Sequence, residues 1–250
     1  IAPSLTGVRV SGFELQKGDR NRLIDSAVFG VQGRNGNDSG VLWPEIGKPA
    51  PQWDIVKNIS HNQEFNGWFI WENSSRTHVF GEGSVIYHNG LKGIDHGAYN
   101  NQYRYQGITI FGNGTGAIGL HAVAGVDTDR PTYLERMIID ASGKEVAVGG
   151  VSHNFSSINY TTFFGEGCVF RNYTRAAIAE EKGGNAIWIE VAPECKFEGP
   201  GVEAWIGNSA ATDTRIRLLG LAIELTHKSK CANTSPRYNA CVTPITVGPV

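Results

Sequence analysis

The chain has 250 residues, 32 of them glycine; 18% are charged, and the formal net charge is −2. That length is ample for one large domain with its own core. The lack of basic excess argues against a nucleic-acid partner, and no apolar run approaches the ~20 residues of a membrane-spanning helix. Many glycines and few charges suit short strands joined by tight turns.

The chain opens on Ile1-Ala2-Pro3, without the basic start and apolar stretch of a signal peptide. A start without Met reads as a processed chain or an excised fragment. Residues 1–78 read as a strand- and loop-rich lead-in packed on a repetitive region, residues 79–225. Val8, Val10, Phe13 and Leu15 suggest a strand pair broken at Ser11-Gly12, and Leu23 to Val31 a further short strand. Gly33 to Gly40 is a turn-rich connector. It has no Gly-x-Gly-x-x-Gly motif for phosphate. In Gly67-Trp68-Phe69-Ile70-Trp71, alternation puts Trp68 and Ile70 on one side and Phe69 and Trp71 on the other. One pair belongs to the core.

From Val79 to Leu225 the chain repeats. Phe80-Gly81-Glu82-Gly83-Ser84-Val85 returns as Phe164-Gly165-Glu166-Gly167-Cys168-Val169. Apolar clusters recur at a spacing centred on roughly 25–28 residues, within the range of solenoids. Such a unit cannot bury its apolar face alone, so it stacks on a neighbour. One coil places strands near Gly167–Arg171, Arg175–Glu180 and Ala186–Val191. The next places them near Glu194–Phe197, Val202–Ile206 and Thr214–Leu219. No long helix is expected. Residues 226–250 read as a polar tail or cap.

Three short strands per coil, Gly/Asn corners and aligned apolar columns resemble the right-handed parallel β-helix. The resemblance is to the pectate-lyase-like superfamily, and within it to phage tailspike and tail-fibre proteins. It implies an all-β fold, binding and often cleavage of long polysaccharides along the side of the helix, and a homotrimer at the virion surface or elsewhere outside the cell. Capsule or lipopolysaccharide is the expected partner. The resemblance is architectural and carries over no catalytic signature.

Outward positions supply the candidate residues. Alternation turns Trp188 and Glu190 outward, and likewise Glu203 and Trp205. An indole stacks on the apolar face of a pyranose, and a carboxylate beside it accepts hydroxyl hydrogen bonds. Trp is equally at home in a subunit interface, which leaves a non-catalytic structural or receptor-binding fibre as the alternative. Glycoside hydrolysis needs two carboxyl groups, about 5–5.5 Å apart for retention and ~6.5–9.5 Å for inversion. Candidates are Asp127 with Asp129 in a loop, and Glu180, Glu181 and Glu203. Stacked coils, ~4.8 Å apart, would bring Glu180 or Glu181 near the Glu203 strand. Arg175 is placed to meet an acidic sugar, and His121 faces outward on its strand. Arg175, Arg215 and Arg217 could neutralise a sugar carboxylate in a lyase. Most such acidic loops simply cap turns.

No cofactor and no metal site are expected, since the cysteines and histidines lack ligand spacing. Cys168 and Cys195 occupy matching places in successive units and read as two buried thiols in one core column. Cys231 and Cys241 would close a small loop in an oxidising compartment. Asn-X-Ser/Thr triplets at Asn58, Asn73, Asn154, Asn159 and Asn172 are glycan acceptors only in a eukaryotic secreted protein. In a solenoid they are more simply turn and ladder residues.

Overall fold

The computed structural model describes residues 10–16, 21–33, 38–43, 53–70, 78–96, 103–114, 116–122, 132–152, 160–182 and 187–248. They form a β-solenoid of parallel stacked strands. The first sheet has eight strands, from Ser11–Glu14 to Val202–Ser209. The third has seven, from Ala27–Phe29 to Lys196–Glu198. The second runs from His78–Phe80 to Arg215–Leu218 and then continues through two antiparallel strands, Ile223–His227 and Ala240–Pro244. Asn21–Ile24 and Trp53–Val56 extend it towards the N-terminus, joined by Gly81 N–H to Ile55 C=O at 2.7 Å.

The expected strands at 167–219 are found at Val169–Arg171, Ala176–Lys182, Ile187–Val191, Lys196–Glu198, Val202–Ser209 and Arg215–Leu218. The lead-in differs from expectation. Its strands join the same three ladders, so parallel stacking reaches back to Ser11. Ser11-Gly12 is no break either. A Cβ on Gly12 would lie 2.0 Å from Val28 Cγ2, so the glycine lets the strand pack closely. Leu23 to Val31 divides into two strands at Asp25, whose φ of 45° turns the corner. Phe69 is buried along with Trp68 and Ile70, whereas Trp71 lies outside the described residues.

Three-residue strands in the third sheet point one side chain inward and two outward. The inward column runs Val28, Ser60, Ile86, Ile110, Ile139, Phe170, Phe197. Ile86, Ile110 and Ile139 are fully enclosed, each contributing about 1.5–3 kcal/mol of burial. Two columns of left-handed residues bend the chain beside this sheet. Asn62 (φ 56°), His88 (52°) and Asn172 (53°) lie on the side of the first sheet, and Lys57 (50°) and Arg136 (51°) on the side of the second. This conformation disfavours side chains with a Cβ by roughly 1–2 kcal/mol, a strain that the stacked coils must hold.

A polar ladder fills the corner between the third and first sheets. Val31 N–H donates to Gln63 Oε1 (2.8 Å), Gln63 N–H to Asn89 Oδ1 (3.1 Å), and Asn89 N–H to Asn113 Oδ1 (3.0 Å). All three amide side chains are buried. The ladder satisfies main-chain donors that the turns take out of the sheets.

The tail is a cap. Its antiparallel hairpin carries the Cys231–Cys241 disulfide, and Asn239 Nδ2 donates to Ile206 C=O (2.7 Å) at the edge of the first sheet. Covering that edge blocks further strand pairing there. Cys168 is buried and Cys195 half-buried, both as free thiols.

Replacing Asn89 with Ala strands Gln63 N–H in the interior. We expect a loss of roughly 1–3 kcal/mol, read as a lower urea midpoint with an unchanged slope.

Candidate functional site

The second sheet carries a groove of about 340 Å³ on its outer side, lined by Trp188, Ile189, Glu190, Arg215, Arg217 and Glu224. Ile189, Ile216 and Leu225 turn inward and are buried, so their sequence neighbours turn out. Trp188 stands in register with Arg215, and Glu190 with Arg217 and then Glu224. The Arg215 guanidinium lies 4.8 Å from the Trp188 ring centre. Trp188 Nε1 donates to Asp213 C=O (3.1 Å), which fixes the indole. Arg217 bridges two carboxylates, Glu190 at 2.6 Å and Glu224 at 3.8 Å. Lys230, 2.7 Å from Asp213, holds that carboxyl below its usual range through a hydrogen bond and its charge.

The outward column continues up the sheet from Glu190 to Phe163, Tyr133 and Arg104. Tyr133 and Phe163 stack at 5.3 Å with an interplanar angle of 16°, and Arg104 sits 4.8 Å from the Tyr133 ring centre. Stacking along the coil axis turns ring faces towards each other and ring edges towards solvent. The pair is therefore a wall rather than a platform. Trp188 differs, because its neighbour in the next coil is a guanidinium.

A second patch closes the C-terminal end of the first sheet. Trp205 stacks on Ala179 of the coil before it, and the Arg175 guanidinium lies 5.9 Å from its ring centre. Arg175 pairs with Glu181 and, at 3.4 Å, with Glu145. Arg175 thus brings Glu181 and Trp205 together.

The other two carboxylates of that patch lie elsewhere. Glu180 is in register with Ile206, an inward position, and is fully buried. It does not share an outer face with Trp205. Glu203 stacks on Ala177, since Ala176 pairs with Val202 and Ile178 with Ala204. The cap claims it there: Arg237 Nη2 reaches both its oxygens, at 2.9 and 3.0 Å, and the Tyr238 hydroxyl donates at 3.2 Å. The enclosed Tyr238 hydroxyl is pushed above its ordinary pKa by burial and then by the Glu203 charge. His121 lies on the strand Gly116–Ala122, in register with Val151. Asp127 and Asp129 lie outside the described residues.

Two features escaped the sequence reading. Glu224 joins the groove only because left-handed Ala222 (φ 51°) reverses the chain into an antiparallel strand. The third sheet also carries a stack of Phe29, His61, Tyr87 and Phe111, with ring centres 5.5, 4.7 and 4.9 Å apart. Its signal was a ring at the third place of the first four three-residue strands of that sheet, Ala27–Phe29, Ile59–His61, Val85–Tyr87 and Thr109–Phe111. Among the described residues no cluster of His, Cys, Asp or Glu is arranged to hold a metal ion.

No protein-family description, curated protein or solved structure matches this chain.

Lys230→Ala should return the Asp213 carboxyl towards its ordinary value, as followed by carboxyl NMR. Because the native value is the depressed one, the pair's contribution is present above the ordinary carboxyl range. It is lost as pH falls through the Asp213 value.

Proposed function

We propose that this protein binds an extended polysaccharide along the outer side of its second sheet. The observation that carries this reading is the groove itself. It combines an indole fixed at its Nε1 and flanked by a guanidinium with a Glu190–Arg217–Glu224 cluster that offers both acceptors and donors. An amphipathic ring with a few placed polar groups is the chemistry of a sugar-binding cleft. Trp205 with Arg175 and Glu181 offers a second contact of the same kind on a neighbouring face.

Support for cleavage is weaker than support for binding. A general acid needs a carboxyl group that stays protonated near neutral pH. Glu181, Glu190 and Glu203 are instead each engaged in an ion pair with an arginine. That pairing favours the reading of a receptor-binding fibre over a hydrolase or lyase. Among the described residues, Glu190 with Glu224 is the carboxylate pair of the groove on which cleavage there would depend. The tailspike-like placement, outside the cell or on a virion and against capsule or lipopolysaccharide, belongs to the same proposal. Its support is the coil architecture.

Trp188→Ala should weaken binding to a recognised polysaccharide by about tenfold or more, equivalent to ~1.4 kcal/mol, in affinity electrophoresis across capsular and lipopolysaccharide panels. Unchanged affinity would remove the groove from the site. Reducing-end release by the wild type that disappears in Glu190→Gln, with binding retained, would establish cleavage. Small-angle and light scattering should show an elongated trimer. A monomer would end the fibre assignment and leave the groove proposal standing.

A further inference from the structure

Two thiols lie one coil apart outside the groove. Cys168 and Cys195 each immediately precede a strand of the third sheet, and those strands are in register from Val169 with Lys196. Lys196 N–H donates to Cys168 C=O at 2.9 Å, so the two positions are adjacent rungs of one column. Each thiol donates to main-chain carbonyl oxygen of the coil before it. Cys168 Sγ reaches Leu134 C=O at 3.2 Å, and Cys195 Sγ reaches Gly165 C=O at 3.2 Å. Neighbouring rungs lie ~4.8 Å apart, within the Cα separation of about 4.4–6.8 Å that disulfides span. The pair differs in access: Cys168 has no exposed surface, whereas Cys195 is half-buried.

We propose that Cys168 and Cys195 form a dithiol modification site, which a small-molecule disulfide oxidises to a cross-coil disulfide in the folded protein. Exposure sets the order of events. The Cys195 thiolate attacks one sulfur of glutathione disulfide, forms a mixed disulfide and releases one glutathione thiolate. The Cys168 thiolate then attacks Cys195 Sγ, forms the protein disulfide and displaces the second glutathione. The two thiol protons pass to the two leaving thiolates. The protein is oxidised by two electrons, and glutathione disulfide is reduced to two thiols.

Access and acidity act on different members of the pair. The interaction between the two thiols holds Cys168 below its ordinary pKa and, together with burial, pushes that of Cys195 up. The first attack, by Cys195, is therefore slow and quickens as pH rises. The second attack is intramolecular, between adjacent rungs, so the mixed disulfide does not accumulate. Closing the bond requires only that both side chains leave their weak S–H···O contacts and turn towards each other. Cys231 and Cys241 are already joined and take no part.

The test incubates the native chain with glutathione disulfide and follows intact mass and a non-reducing peptide map. The wild type should lose about 2 Da and yield a peptide linking Cys168 to Cys195. Cys168→Ser should instead hold a stable adduct of about 305 Da on Cys195, and Cys195→Ser should stay unmodified. A persistent adduct on wild-type Cys195 would overturn the proposal. So would two thiols that stay free at every pH where the fold persists, or linkage between separate chains. The Cys231–Cys241 peptide, read in the same map, reports that each variant has folded.

Discussion

Register between coils is the constraint on which the rest depends. In a parallel stack, main-chain hydrogen bonds fix which residue lies above and below each side chain. Every side chain, inward or outward, is then flanked by residues one coil away rather than by its sequence neighbours. The third-sheet column of Ile86, Ile110 and Ile139 is one result, and the stack of His61, Tyr87 and Phe111 is another. The buried amides at Gln63, Asn89 and Asn113 hold this register at a corner, where the sheets supply no partner.

Charge follows the same geometry. Arg217 with Glu190, Arg171 with Glu198 and Arg22 with Asp54 are all vertical neighbours. Exposed pairs of this kind contribute at most about 1 kcal/mol each, so their role is placement more than stability. At the C-terminal end the direction of the chain changes, and so does the source of partners. Arg237 and Lys230 reach back from the hairpin to Glu203 and Asp213. The groove and the cap consequently share a wall: Asp213 C=O fixes Trp188, and its carboxylate anchors Lys230.

Much of the coil was legible in the sequence. From Val169 to Leu218 the strands fall within a few residues of expectation, because Gly and Asn corners bracket short apolar runs with period-two alternation. The lead-in was harder. A three-residue strand such as Ile59–His61 is too short to show a period, and Ser60 occupies an inward place that hydropathy alone would turn out. Alternation placed Trp188, Glu190 and Trp205 correctly, but it misled at Glu203. That residue sits at the bend into the first sheet, where strict alternation lapses, and its partner Arg237 comes from a hairpin that no local pattern reveals. Glu180 required the actual register. A pairing of Ala179 with Trp205 puts its neighbour beside Ile206, in the core.

The ring stack on the third sheet has an optical consequence. Tyr87 and Phe111 lie nearly parallel, at 4°, with the His61 ring at 5° on the other side of Tyr87, so this array holds these two near-ultraviolet chromophores in a fixed, asymmetric setting. A one-residue slip between coils would send those rings to the opposite side of the wall, while leaving the amount of β-structure almost unchanged. Far-ultraviolet dichroism is blind to such a slip, whereas the near-ultraviolet bands of the array are not. The protein thus carries an intrinsic spectroscopic gauge that separates correctly stacked coils from coils that are merely formed.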